Sequence, residues 1–441
     1  MHHGAKDLQG QPPAAAQPRR HVAAAALALT FAARSAAADD PQPQPQPQPI
    51  KPALDHTGWQ IDFDTFIQVD DVPWAQISHD DVSPSGSPLN VTSMTVRRGF
   101  FRVTGHEDDF HTLLEVNANS VGGPPSMQLL EAIAGWSPGE LVDVQAGLML
   151  IPFGYEVPLN ARYRIFLEQP TFLQAFFPGD NDAGTQVHGA YGFLRYSVAA
   201  MNGAPVKDAQ WQGKDPSSSY DVIARIGGDV RLPEMWGRPH ISFGMSGLDG
   251  SDLHPGTPPT KDQIIWVDEN GDGIVQPTEL QVIPGSPGVP SQAFTHRALG
   301  ADARVEWCLQ GAGQGEAFFE GAIATNLDRG VYYADPIATS RDLRELGWTV
   351  AVVQHAGPHA FAGIRYDTYD GDRDASSRVG VDLVGTHRIY STWAFLAAAQ
   401  RGTARLSVEY DRVKNPFGLS DTGLPATIAD DRLTVRVQAE F

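Results

Sequence analysis

Leu433-Thr434-Val435-Arg436-Val437-Gln438-Ala439-Glu440-Phe441 is the stretch on which the reading of this chain turns. Apolar side chains at 433, 435, 437, 439 and 441 alternate with polar ones at 434, 436, 438 and 440. Successive side chains on a strand point to opposite faces, so the pattern makes a strand with one apolar and one polar face.

The same period recurs upstream. Trp59, Ile61, Phe63, Thr65, Ile67 and Val69 oppose Gln60, Asp62, Asp64 and Gln68, and Phe110, Thr112, Leu114, Val116 and Ala118 oppose His111, Glu115, Asn117 and Asn119. Val222, Ala224 and Ile226, then Leu406, Val408 and Tyr410, continue it. Between the runs lie Gly, Pro, Asp and Ser clusters, short in some places (Pro138-Gly139) and long in others (205–219, 247–259). Tight turns alternating with long loops are the rhythm of an all-β, transmembrane antiparallel β-barrel, with short periplasmic turns and long outer loops. Trp59, Trp136, Tyr366, Tyr369 and Trp393 sit near strand ends and are expected in the interfacial girdles. In such barrels a terminal aromatic is read by the barrel-assembly machinery, so Phe441 is the expected assembly signal.

Composition agrees. Among 441 residues, 52 acids outnumber 32 bases for a formal charge of −20, which argues against nucleic-acid binding. Arg19-Arg20-His21, the apolar run from Val22 to Ala33 and the small residues Ala36-Ala37-Ala38 read as a signal peptide over 1–38. That run is shorter than the ~20 residues a spanning helix takes. A Pro/Gln-rich periplasmic linker over 39–56 leads to a barrel over 57–441, in the outer membrane of a Gram-negative bacterium. The single cysteine, Cys308, excludes an intramolecular disulfide and reads as a small packing residue on a strand.

Met94 to Gly203 carries ordered landmarks: Val96-Arg97-Arg98-Gly99-Phe100-Phe101, Ala146 to Gly154 ending in Ile151-Pro152-Phe153-Gly154, Phe166-Leu167-Glu168-Gln169, Pro178 to Gln186, and Ala200-Met201-Asn202-Gly203. In order and spacing these resemble the phosphate-selective porins O and P. Gly347-Trp348-Thr349-Val350 and Gly363-Ile364-Arg365-Tyr366-Asp367 extend the likeness more loosely. The resemblance implies about 16 strands, an inward-folded loop and a homotrimeric, non-enzymatic channel for small hydrophilic or ionic solutes, anions such as phosphate among them. The acidic, lysine-poor composition departs from the phosphate-specific members.

Candidate pore residues are Arg97, Arg98, Arg102, Arg195 and Arg225, together with Arg162, Arg164, Glu168, Asp180 and Asp182 from the 155–183 segment. That segment is too long and mixed for a periplasmic turn. It is expected to enter the lumen, with Arg162 and Arg164 facing acids across the eyelet.

Asp268-Glu269-Asn270-Gly271-Asp272-Gly273-Ile274-Val275-Gln276-Pro277-Thr278-Glu279 follows the calcium-loop pattern. Asp268, Asn270 and Asp272 would offer side-chain oxygens, Ile274 its carbonyl, Gln276 a direct or water-borne ligand and Glu279 both carboxylate oxygens. Strand-like residues precede it, so a structural Ca2+ loop is expected rather than a full EF-hand. Asp367, Asp370, Asp372 and Asp374 lack that spacing and read as a solvated loop; Gly311 to Gly315 reads as a turn. The alternatives are a secreted, calcium-stabilised soluble β protein that binds a ligand or polysaccharide, and a barrel enzyme, although the sequence holds no catalytic motif.

Overall fold

The computed structural model describes residues 58–441 except 83–87, 122–123, 209, 212–215, 218, 233–238, 310–312, 380–381, 386–387 and 420–424. The expected signal peptide and the whole of the 39–56 linker lie outside the described residues.

Antiparallel strands follow one another around a closed wall: β1 (Gln60–Val82), β2 (Pro88–Glu107), β3 (Phe110–Asn119), β4 (Ser126–Gly139), β5 (Val142–Leu150), β6 (Asn181–Tyr191), β7 (Leu194–Met201) and β8 (Asp221–Arg231). The second half is β9 (His240–His254), β10 (Gln292–Leu309), β11 (Gly313–Thr325), β12 (Arg344–His355), β13 (Ala360–Asp370), β14 (Ile389–Arg401), β15 (Ala404–Leu419) and β16 (Arg432–Glu440). Each pairs with the next, and β16 pairs back onto β1 from Phe66↔Glu440 to Ala75↔Arg432. The result is a closed barrel of 16 strands. A short strand, Pro425–Ala429, prolongs the sheet beside β15. Closure removes every unpaired edge, which a strand surrounded by lipid requires.

Connections at one rim are as short as 108–109, 140–141, 192–193 and 402–403; at the other they run to 151–180, 202–220, 255–291 and 326–343.

The faces are inverted relative to a water-soluble protein. Thr434, Arg436 and Gln438 are buried inside, whereas Val437 is 53% exposed on the outer face. Val198, Ile226, Leu299, Ile323 and Leu406 are exposed in the same way, while Glu131, Gln186, Asp302, Glu320 and Glu409 are buried within. Apolar-out, polar-in alternation matches a wall whose outer solvent is lipid.

Three expectations need correction. Tyr369 is fully buried, donating to Asp328 at 2.5 Å, because strand alternation sends 369 inward while 366 faces out. Tyr366 does face outward, its ring centre 4.7 Å from that of Trp393. Asp367 and Asp370 are buried on β13, and only Asp372 and Asp374 reach the loop, where they pair with Arg341 and Arg344. Cys308 is exposed rather than packed. The predicted turn at 311–315 falls partly on 310–312, outside the described residues, with Gly313 already opening β11.

Candidate functional site

The 151–180 connection turns into the barrel as expected. Its ends are tied together by Ile151 N–H donating to the Asp180 carbonyl at 2.8 Å. Gly154 (φ 68°) makes the inward turn, and any Cβ there would strike the Glu320 carboxylate. That carboxylate is occupied by the Tyr155 and Glu156 amides, each at 3.0 Å, while the Gly154 amide donates to Ser246 Oγ at 3.0 Å.

Further along, wall side chains satisfy backbone groups that an irregular buried segment would otherwise leave unpaired. Glu409 accepts from the Leu167 amide at 3.1 Å, Arg436 donates to the Leu167 carbonyl at 2.6 Å, and Arg365 donates to the Glu168 carbonyl at 2.7 Å. Arg405 donates to the Arg164 carbonyl at 3.1 Å. A short helix, α1 (Thr171–Phe176), buries Phe172, Leu173, Ala175 and Phe176. Phe172 lies over Gly347 on β12, where a Cβ would collide with it.

Glu168 is the electrostatic centre of this segment. It receives Arg97 Nε at 2.9 Å, Arg98 Nη2 at 3.0 Å and Arg436 Nη2 at 2.7 Å, and Arg436 also forks onto Asp70 at 2.6 and 2.7 Å. Burial alone would raise the Glu168 carboxyl, but Arg98, Arg97 and Arg436 outweigh it and hold the group well below the usual carboxylate range. Glu156 has the opposite balance. Its burial raises the carboxyl, with Arg365 and Arg164 offsetting only part.

The remaining candidates are all engaged. Arg162 pairs with Asp64 on β1 at 2.5 Å and Arg164 with Asp180 at 2.6 Å, both arginines being buried. Arg102 bridges Glu115 (3.3 Å) and Glu131 (3.2 Å), Arg225 grips Asp302, and the half-exposed Arg195 lies 3.2 Å from Asp229. Asp182 works on backbone instead, accepting from the Ala183 and Gly203 amides at 2.7 Å each. The sequence reading missed Asp70, Glu320, Arg365, Arg405, Glu409 and Arg436 as site residues. Their signal was present, since each is a charged residue on the polar face of an alternating run.

Space remains beside the inward segment. A cavity of about 440 Å³ lies between Pro152 and Pro158 on the segment and the β4–β8 wall. Glu131, Gln145, Gln186, Ser197, Arg195 and Arg225 line it.

The 268–279 loop sits at the tip of a two-stranded ribbon, Gln263–Trp266 with Leu280–Ile283. Asp268 accepts from the Gly271 amide at 2.7 Å and the Gly273 amide at 2.9 Å; Asp272 accepts from the Ile274 amide at 2.7 Å and Gln276 Nε2 at 2.8 Å. Asn270 Oδ1 accepts from the Asp272 amide at 2.9 Å, while Glu279 is turned onto Trp266 Nε1 at 2.9 Å. Among the described residues, no three His, Cys, Asp or Glu side chains are already drawn together as a metal site.

No protein-family model matches this chain, and no curated protein does. Solved structures do. The outer membrane channel DcaP of Acinetobacter baumannii aligns with a TM-score of 0.56 at 10% identity, over 87% of this chain and 98% of that one. OprB of Pseudomonas putida gives 0.54 at 11% identity, over 87% and 94%. The anion-selective porin from Comamonas acidovorans gives 0.50 at 10% identity, over 87% and 100%. At these identities the likeness is one of architecture. With its 16 closed strands, inverted faces and inward segment, this chain has the fold of the porin-like outer-membrane barrels.

Proposed function

We propose that this protein is an outer-membrane porin, a passive channel for small hydrophilic or ionic solutes, in which residues 151–180 form the constriction. The observation that carries this reading is the inward segment itself. It crosses a polar-lined lumen and leaves an open cavity of about 440 Å³ on one side. A chain folded this way has a wet path beside a fixed obstruction, which is what sieving by size and charge requires.

Selectivity is set by pairs rather than by free cations. All seven candidate arginines (Arg97, Arg98, Arg102, Arg162, Arg164, Arg195 and Arg225) have an acid partner within 4 Å. A weak charge preference is therefore expected, in place of strong phosphate specificity. Arg225 and Arg195, which line the cavity, carry most of it. The apolar outer wall suits the lipid bilayer and a homotrimer, and the exposed Phe441 ring beside the β1–β16 seam suits recognition during barrel assembly. Planar-bilayer recording with salt gradients tests the proposal. Discrete conductance steps with a modest reversal potential are expected, and purified barrels that insert without conducting would overturn it.

The 268–279 loop is proposed as a structural Ca2+ site on the outer rim. Backbone N–H groups of Gly271, Asp272 and Ile274 donate to the side chains of Asp268, Asn270 and Asp272 and already hold them in a folded loop. Glu279 would have to leave Trp266 to close the shell. Loops of this kind bind at ~10⁻⁴–10⁻³ M in extracellular modules. Calcium should protect 255–291 from protease, and Asp272→Ala should abolish that protection without altering conductance. Equal cleavage with calcium and with chelator would refute the site.

A further inference from the structure

A second connection, 326–343, also folds inward, and it meets the constriction at the far end of α1. The Arg329 and Gly330 amides both donate to the Ala175 carbonyl, at 2.8 and 3.0 Å. Asp328 organises the approach by accepting from the Gly330, Val331 and Tyr332 amides at 3.0, 2.8 and 2.9 Å and from Tyr369. The Tyr369 ring in turn packs edge-on against Phe176 of α1, with ring centres 5.7 Å apart.

Arg329 is where these parts meet. It is 1% exposed, pairs with Asp252 on β9, and lies 3.9 Å from Asp208 on the 202–220 connection. Its guanidinium stacks over Phe294 of β10 at 5.4 Å and over Tyr333 at 5.1 Å, and Nη1 donates to the Ala334 carbonyl at 3.2 Å. One side chain thus joins two long connections to the wall while its own amide holds the last turn of α1. An arginine does this because its planar fork makes hydrogen bonds and ring stacking at once.

We propose that Arg329 is a positioning residue for the constriction: through the 326–343 connection it braces α1 against the wall and so fixes how far the inward segment stands into the pore. This rests on the channel reading above. Neither Arg329 nor Gly330 lines the open cavity, so an effect on permeation has to travel through α1.

Two variants of the full-length protein test the brace by different chemistry. Arg329→Gln removes the charge that holds Asp252 and Asp208. Gly330→Ala leaves that charge in place but drives a Cβ into the Gln174 carbonyl, pushing α1 away. Both are expected to fold, judged by heat-modifiable mobility in detergent, and to change single-channel conductance by roughly twofold with added open-channel noise, as a shifted constriction would. If Arg329→Gln fails to fold, Gly330→Ala decides alone. Folded Gly330→Ala barrels with wild-type conductance and noise would overturn the brace. A wild-type protein that never conducts would overturn the channel reading instead, and the brace with it.

Discussion

The two sides of the barrel interior are built differently, although one rule of alternation writes both. Along β4–β8 the inward residues include Glu131, Gln145, Gln186, Ser197 and Arg225, with Ile133 and Met149 among them, and they face a cavity. Along β9–β16 the inward residues include Ser246, Glu320, Arg365, Glu409, Arg436 and Gln438, and they are buried under the 151–180 segment. The first set is satisfied by its neighbours on the wall, since Gln145 donates to Gln186, Gln186 to Ser197, and Glu131 and Arg225 pair with Arg102 and Asp302. The second set meets backbone and must match it group by group, because an unpaired buried polar atom costs about 1–3 kcal/mol. Substitutions should therefore act on permeation on the open side and on stability on the filled side.

Excising 155–177 with a short Gly/Ser bridge should have the largest effect. Conductance should rise several-fold as the filled side becomes lumen, and thermal stability should fall as Glu320, Arg365 and Glu409 lose their partners. An excised barrel with unchanged conductance would dissolve the distinction between the two sides.

Glu168→Gln comes next. It leaves Arg436 with Asp70 and takes from Arg97 and Arg98 the carboxylate that both pair with, and breaking a buried pair of this type costs about 3 kcal/mol. Because the folded Glu168 carboxyl is depressed, its contribution is present above the unfolded value of about 4.3 and fades only as pH falls through the folded one. Wild type and Glu168→Gln should then converge in denaturant titrations only in strong acid; convergence already at pH 6 would contradict that assignment.

A matched pair of enlargements sharpens the contrast. Gly347→Ala sets a methyl against Phe172 and should cost about 1–3 kcal/mol while the pore still conducts. Gln145→Trp, placed in the cavity, should lower conductance and leave the melting temperature unchanged. Reversed outcomes would mean that the packed and open sides have been exchanged.

The smallest effect expected is a gain. Burial raises the Glu156 carboxyl, so its contribution to stability is full below the unfolded value and is lost as pH rises through the raised one. Glu156→Gln should therefore raise stability at neutral pH and leave it unchanged at pH 4. Equal stability of variant and wild type across that range would return Glu156 to an ordinary environment.

Local pattern made much of this legible. Alternation marks which side of Leu433–Phe441 faces inward, and the unusual length of 155–183 marks the segment that enters the lumen, although 181–183, with Asp182, already belong to β6 and the connection begins at 151. What escaped depends on residues far apart in sequence. Nothing near Arg436 indicates that it will hold both Asp70 and Glu168, which lie 366 and 268 positions away. The sequence likewise offers Arg162 and Arg164 as charges facing acids across an eyelet, but not which acid each one meets, Asp64 on β1 and Asp180 at the end of the same segment. Tyr369 misleads for a local reason, since it lies near the end of β13 like a girdle aromatic while its odd position on that strand turns it inward.

The seam between β1 and β16 also governs how this molecule can come into being. Gln68 bonds Gln438 across 370 positions and Thr65 exchanges backbone hydrogen bonds with Phe441, so the wall closes only by joining its first strand to its last. Loop closure over such a span is entropically late and slow, and everything formed earlier has a raw sheet edge on each side. An incomplete wall is thus an adhesive ribbon rather than a stable intermediate. The chain must be kept from partners of its own kind until the last strand arrives, and the finished barrel, having no edge from which to unzip, should come apart far more slowly than it was made.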